Sequence, residues 1–429
     1  MTSPSSAAAK PAPKPAARLL ESGIIFSAAN FLANLLNFAF LAVIGRQLSH
    51  NGEFSLANNT LGFAAFLALP MSIATQAVTH YIARFHFSGD DARLHGLLTG
   101  CRRFLFWISV AGSFTALFLV EPLSRFFNFP RGSLMFGALA VVLTWLWGAY
   151  FTALCQGLAW FKRLALIALL SAFLRVLFGG ITTKFWPVAE WAVLASVIAV
   201  SANLVLLFWK SDFPRRSGDV ISPWNRDFLG FLVVAAACVG GGMFFQQGDM
   251  LVAQRYFNPT DRDAYIAAER LAAALLLVVG PLLSVLFTHR SGRRHHDALR
   301  EQLRLVGLCA ATLIFGAIAL FLLRDFCLEI LGRNTPEAAS MIGRLSLTMV
   351  FVGLLQTLGA WSLASRWMKI SLLYGLLGLA YWLALLFLGK SPADLLAVMP
   401  MAAGISFAIV FLVWLAAMRL HKIGPPEQS

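Results

Sequence analysis

The stretch Ala42–Pro70, AVIGRQLSHNGEFSLANNTLGFAAFLALP, returns later in the chain as Leu251–Pro281, LVAQRYFNPTDRDAYIAAERLAAALLLVVGP. Arg46 aligns with Arg255 at an offset of 209, and Pro70 with Pro281 at an offset of 211. Two extra residues in the second turn account for the difference. The larger offset also pairs Asn58 and Asn59 with Glu269 and Arg270. In each copy an apolar segment exits on an arginine, a polar turn follows, and a second long segment begins. A weaker echo places Gln156 before Lys162 and Arg163, and Gln356 before Arg366 and Lys369. Self-similarity at this spacing divides the chain into two related halves.

Working outward, each half holds six apolar segments. A helix crossing ~30 Å of hydrocarbon needs about 20 mostly apolar residues. Such segments fall near 20–45, 53–82, 103–121, 133–158, 164–182 and 188–209, then near 228–254, 263–288, 303–323, 337–362, 367–389 and 394–418. Pro, Gly, Asn and clustered charge mark the breaks. The runs are too long for barrel strands. The reading is an all-α polytopic membrane protein of about 12 transmembrane helices in two pseudo-symmetric six-helix lobes. Its parts are a disordered tail over 1–19, a lobe over 20–210, a cytoplasmic linker over 211–226, a second lobe over 227–420 and a tail over 421–429. The first apolar segment is too long for a signal-peptide core and reads as a retained helix.

Composition agrees. Of 429 residues, 59% are hydrophobic and 13% charged, against about 25% charged in soluble domains. Mean hydropathy is +0.74. A soluble enzyme, a disordered chain and a disulfide scaffold are excluded. The five cysteines, Cys101, Cys155, Cys238, Cys309 and Cys327, show no C-x-x-C spacing and read as small buried hydrophobes, not metal ligands.

The net charge of +14 would suggest nucleic acid in a soluble protein. Here its placement decides. With a cytoplasmic N-terminus, inner segments carry 22 Lys and Arg and outer segments carry 9. This bias fixes both termini inside and removes the case for a nucleic-acid partner. Both halves then start on the same side, so the repeat is parallel about an axis along the membrane normal. Two such halves suit a transporter or channel. No Walker A loop, H-E-x-x-H or G-x-S-x-G occurs, so no enzyme chemistry and no cofactor are expected.

Charges at the bilayer centre cost about 2.5–3.5 kcal/mol each on insertion scales, so those kept there are functional candidates. They are Arg175, Arg270 and Arg344, with Asp249 and Glu269 as coupling or counter-ion residues. Local pairing of Arg270, snorkelling of Arg344 and a place for Asp249 beside Arg255 are the plainer alternatives. Asn30, Asn34 and Asn37 repeat at helical spacing on one face of helix one and read as a cavity stripe. Gln246, Gln247 and Gln356 join them. Four glycines in GGGMFFQQGDM, Gly240, Gly241, Gly242 and Gly248, read as a loosened, gate-like helix seven or as close packing. Pro70 and Pro281 are the hinge candidates.

The string NFLANLLNFAFLAVIGRQLSHNGEFSLANNTLGF, Asn30–Phe63, resembles the opening of the polysaccharide-biosynthesis flippases of the multidrug/oligosaccharidyl-lipid/polysaccharide exporter superfamily. The matching elements are an Asn-bearing first helix, the exit Arg46, the turn Asn51-Gly52-Glu53-Phe54 and a second helix broken by Pro70. QTLGAWSLASRWMK, Gln356–Lys369, resembles that family's helix-ten exit. Twelve helices fit the O-antigen, capsule and exopolysaccharide branch, whereas the lipid II branch usually has fourteen.

The resemblance implies two MATE-like lobes around a central cavity and alternating access. It implies movement of a polyprenyl-diphosphate-linked oligosaccharide from the inner to the outer leaflet of a bacterial inner membrane. A polysaccharide polymerase and glycosyltransferases would be its partners. On that reading Arg175, Arg270 and Arg344 receive the diphosphate, since a guanidinium forks onto phosphate oxygens. The alternative with the same fold is a cation-coupled multidrug exporter.

Overall fold

The computed structural model describes residues 15–48, 52–209, 226–290, 298–364 and 367–420. They form fourteen α-helices: α1 Pro15–Gln47, α2 Glu53–Leu67, α3 Leu69–Ser88, α4 Asp91–Phe126, α5 Gly132–Gly157, α6 Phe161–Phe185, α7 Ala189–Trp209, α8 Arg226–Tyr256, α9 Pro259–Arg290, α10 Ala298–Leu322, α11 Arg324–Ile330, α12 Pro336–Ala364, α13 Met368–Leu388 and α14 Pro392–Leu420. Among the described residues there is no strand. In hydrocarbon every backbone N–H and C=O must be satisfied within its own segment, which only helices or closed barrels achieve.

One expected segment is broken, and another runs on past its expected end. Segment 53–82 divides at Ala68 into α2 and α3, with Pro70 in the first turn of α3. Proline lacks the N–H that would carry the ladder across this point, and it is tolerated where a helix begins. The ninth segment bends by 77° between α10 and α11. α4 bends by 59° between Thr115 and Leu117 and carries Pro122 within its last two turns. With α2–α3 and α10–α11 each taken as one passage, the fourteen helices make twelve, six in each half. Six described helices are individually long and apolar enough to cross a membrane, and the bent pairs bring the number to eight.

α1–α7 pack into one lobe, mainly through α1 on α6, α3 on α5 and α7 on both α5 and α6. α8–α14 form the second, through α8 on α13 and α12 on α9 and α14. The lobes meet where α1, α2 and α3 touch α8 and α9. Large apolar side chains cover the outside, as with Phe118 at 72% exposure on α4 and Phe315 at 75% on α10. A soluble protein does not carry such surface in continuous bands, and lipid is what it fits. The linker 211–226 lies almost wholly outside the described residues.

Candidate functional site

The charges of the second lobe gather in its core. Asp249 on α8 and Glu269 on α9 are both fully buried. The Tyr265 hydroxyl donates to Asp249 Oδ2 at 2.6 Å and lies 3.2 Å from Met399 Sδ. Asp249 Oδ1 and both Glu269 oxygens lack a hydrogen-bond donor among the described residues, as does the buried Tyr381 hydroxyl for a partner. The nearest cation is Arg270, whose Nε stands 3.6 Å from Glu269 Oε2. Arg270 Nη2 points instead at Met250 Sδ, 3.0 Å away. A buried polar group without a partner costs about 1–3 kcal/mol, and more when charged. Four such atoms gather in this cluster, with Arg270 Nε beside them, and unsatisfied polar groups at this density call for an explanation.

The first lobe treats its charge differently. Arg175 on α6 donates from Nε to Ser196 Oγ at 2.9 Å and from Nη1 to Asn37 Oδ1 at 3.3 Å. Its guanidinium also lies 4.4 Å above the Phe40 ring. Arg175 is therefore held by α1, α6 and α7 of its own lobe.

The remaining candidates are scattered. Asn30 and Asn34 are half-buried on α1, and Asn37 turns to Arg175. Gln247 Oε1 is buried without a donor and faces Gly62 of α2 across the lobe boundary. Gln246 is half-buried on α8. Gln356 Nε2 on α12 is buried without an acceptor. Arg344 is exposed on α12, next to Gly343, which packs on Phe321 of α10 at the lobe periphery. It stands apart from the other two arginines. Asp249 is not beside Arg255, which reaches the first lobe. Pro281 lies within α9, and its side chain and that of Pro70 are outside the described residues.

The glycine-rich stretch of helix seven serves packing. α8 is continuous from Arg226 to Tyr256. A Cβ on Gly241 would come within 2.8 Å of Gly375 Cα and of the Tyr374 carbonyl oxygen on α13, and one on Gly248 within 2.7 Å of the Trp382 ring. Tyr265, Tyr381, Met250 and Met399 complete the buried cluster and carry no sequence signal. Tyrosine and methionine are ordinary in apolar helices. Among the described residues no group of His, Cys, Asp or Glu is arranged to hold a metal.

At the end that the charge bias assigns to the outside, polar residues of the lobes interlock. Asp263 Oδ1 accepts the Ser55 N–H at 3.0 Å, and Oδ2 stands 3.3 Å from Arg333 Nη1. Arg333 Nη2 donates to the Leu48 carbonyl, and its guanidinium lies 5.0 Å from the Phe54 ring centre. Burial pulls Arg333 below the ordinary arginine value, and Asp263 pushes it back up. Asn59 donates to Gln254 Oε1 at 2.5 Å. Deeper in the first lobe, α5, α6 and α7 enclose an apolar groove of about 320 Å³ floored by Gly148, Ala149, Ala168 and Ser171. Its inner end lies one turn from the exposed Lys162 and Arg163.

No family model matches the chain, and no curated protein matches it. Solved structures do. The chain is similar to the inward-facing conformation of a multidrug resistance MATE family transporter of the MOP superfamily, with a TM-score of 0.66 at 14% identity over 93% of this chain and 99% of that one. The outward-facing conformation of a multidrug resistance MATE family transporter matches at 0.57, with 13% identity over 96% and 99%. A MOP superfamily transporter from Pyrococcus furiosus, described by the reverse polarity of its binding pocket, matches at 0.59, with 13% identity over 94% and 98%. Likeness at this identity establishes the fold: the chain has the MATE-like architecture, end to end.

Proposed function

We propose that this chain is an alternating-access membrane transporter that carries a polyprenyl-diphosphate-linked oligosaccharide from the inner to the outer leaflet. The observation that carries this reading is Arg270. Its Nη2 meets Met250, which packs on Gly62 of the opposite lobe, and its Nε pairs with Glu269 at 3.6 Å without a hydrogen bond. Two cations in opposite lobes favour an anion between them, and a diphosphate offers oxygens to both. Arg175 gives two of its five N–H donors to Ser196 and Asn37, so Arg270 is the principal phosphate ligand and Arg175 supplies field and its remaining donors. The apolar groove between α5, α6 and α7, at the lower end of the size range of ligand pockets, suits part of the prenyl chain. Bacterial inner-membrane glycosyl transfer would supply the substrate, and a polymerase would consume the product.

The better match to an inward-facing structure than to an outward-facing one and the interlocked outer end support a chain described with its cavity open to the cytoplasm. The test is translocation of a polyprenyl-diphosphate oligosaccharide in proteoliposomes. Arg270→Ala is expected to abolish it and Arg344→Ala to preserve it. A folded Arg270→Ala protein that transports like wild type overturns the reading.

A second reading, cation-coupled export of organic cations, is favoured by the buried carboxyls Asp249 and Glu269 and by the multidrug MATE neighbours. A cationic dye in the same vesicles distinguishes the two. Dye transport driven by a proton or sodium gradient and lost in Asp249→Asn would support it. Coupling through these carboxyls is compatible with either cargo.

A further inference from the structure

The outer contacts obey the internal repeat. Arg46 ends the first helix of lobe one, and Arg255 ends the first helix of lobe two. Arg46 Nε donates to the carbonyl of Ile330 at 3.0 Å, the last residue of α11 in the opposite lobe. Arg255 Nη1 donates to the carbonyl of Phe126 at 3.4 Å, the last residue of α4 in the opposite lobe. Each repeat-equivalent arginine thus crosses the boundary to the end of the other lobe's third passage. We infer that Arg46 and Arg255 are reciprocal straps that hold the outer gate shut. This inference rests on the alternating-access reading and names the contacts that must part for outward opening.

The chemistry suits a releasable lock. The last carbonyls of a helix have no partner within it and carry the negative end of its dipole. A guanidinium satisfies them without a buried carboxylate, so separation leaves only groups that water readily solvates. Each strap is also seated by shape. A Cβ at Gly332 would come within 2.7 Å of Arg46 Cγ, and one at Gly45 within 2.4 Å of the Leu331 carbonyl oxygen. On the other side the Arg255 guanidinium lies 4.5 Å over the Phe126 ring. Asn128 Nδ2 donates to the Arg255 carbonyl at 3.1 Å, and Gln254 Nε2 to the Asn128 carbonyl at 3.3 Å. Two other arginine–carboxylate pairs at this end, Arg131–Glu53 and Arg333–Asp263, differ. Arg131 stays within lobe one, on Glu53 and Glu190, whereas Asp263 also takes the Ser55 N–H of the other lobe.

The test is hydrogen exchange read by mass spectrometry on the full chain in nanodiscs, which needs no substrate. Arg46→Ala and Arg255→Ala are each expected to raise exchange several-fold at the outer ends of both lobes, around residues 52–60 and 254–264. The double variant should exceed either single one. Arg131→Ala is the control and should raise exchange in lobe one alone. Arg46→Lys and Phe126→Leu provide milder variants if the alanine forms do not fold, with the same two-lobe signature at smaller amplitude. Exchange confined to the mutated lobe, or a two-lobe signature from Arg131→Ala as large as that of the double variant, overturns the straps. If the straps pass and the lipid-linked sugar is not moved, the cargo is wrong and the gate stands.

Discussion

Lobe one and lobe two use one scaffold for opposite electrostatic purposes. The offset of 209 places Asp249 where lobe one has Phe40, and the offset of 211 places Tyr265 at Phe54 and Glu269–Arg270 at Asn58–Asn59. The three positions before Arg270 are buried in both lobes, and so is Asn59, the counterpart of Arg270. Lobe one fills them with two rings and two amides. Asn58 donates to the Phe54 carbonyl at 2.9 Å and Asn59 to Gln254, and the lobe's own Arg175 rests on Phe40. Lobe two fills them with a carboxyl, a phenol and an adjacent acid and base, and at these positions Asp249 Oδ1, both Glu269 oxygens and Arg270 Nε make no hydrogen bond among the described residues, against Asn59 Oδ1 alone in lobe one. The duplicated fold does not require those charges, since its twin stands without them. The charge of lobe two is therefore not demanded by the scaffold that it shares with lobe one.

The strongest way to break this contrast is to remove Arg270. Arg270→Ala strands Glu269, and losing one partner of a buried pair costs about 3–5 kcal/mol. A large fall in thermal midpoint together with lost transport is expected. Glu269→Gln on the same background should return part of that stability, measured as a double-mutant cycle. Next, lobe two can be made to resemble lobe one. Asp249→Leu with Tyr265→Phe replaces a buried polar pair by apolar groups, an exchange that is neutral or stabilising by about 1–4 kcal/mol. The thermal midpoint should hold or rise while gradient-driven transport is lost. A fall in stability would show that the pair is structural.

Smaller effects sharpen the other side. Asn59→Ala removes one bond to Gln254 and should cost about 0.5–1.5 kcal/mol without selectively affecting coupling. Ala168→Leu fills the apolar groove and should weaken transport of long prenyl chains more than of short ones, measured with substrates of different chain length. Arg344→Ala should change neither midpoint nor transport, because its side chain stands at the periphery.

The repeat, the six segments per half and the excess of inner charge were all legible in the residues, because apolar length and loop arginines follow directly from the bilayer. The breaks were not. Ala68 and Leu323 look like neighbouring apolar residues, and a 77° bend depends on packing that no window of hydropathy contains. Within the site, Asp249, Glu269 and Arg270 stand out as charges in hydrocarbon. Tyr265 and Tyr381 do not, since a phenol in a membrane helix is unremarkable until a carboxyl is beside it. Ser196 gave no hint that it would occupy Arg175. The outer contacts were hidden for another reason. Arg46, Arg255, Asp263 and Arg333 lie in or beside loops, where charge is expected to meet water.

The contact between α8 and α13 has a mechanical meaning. A Cβ on Gly378 would come within 2.5 Å of Gly241 Cα, and one on Gly375 within 2.5 Å of the Ala237 carbonyl oxygen. Backbone lies on backbone there, with no side chain between to rotate or compress. Two helices so joined behave as a single beam, and bending one requires bending both. Any displacement of one of them carries Asp249 on α8 and Tyr381 on α13 together, so the spacing between that carboxyl and that phenol is set by backbone and not by side-chain packing.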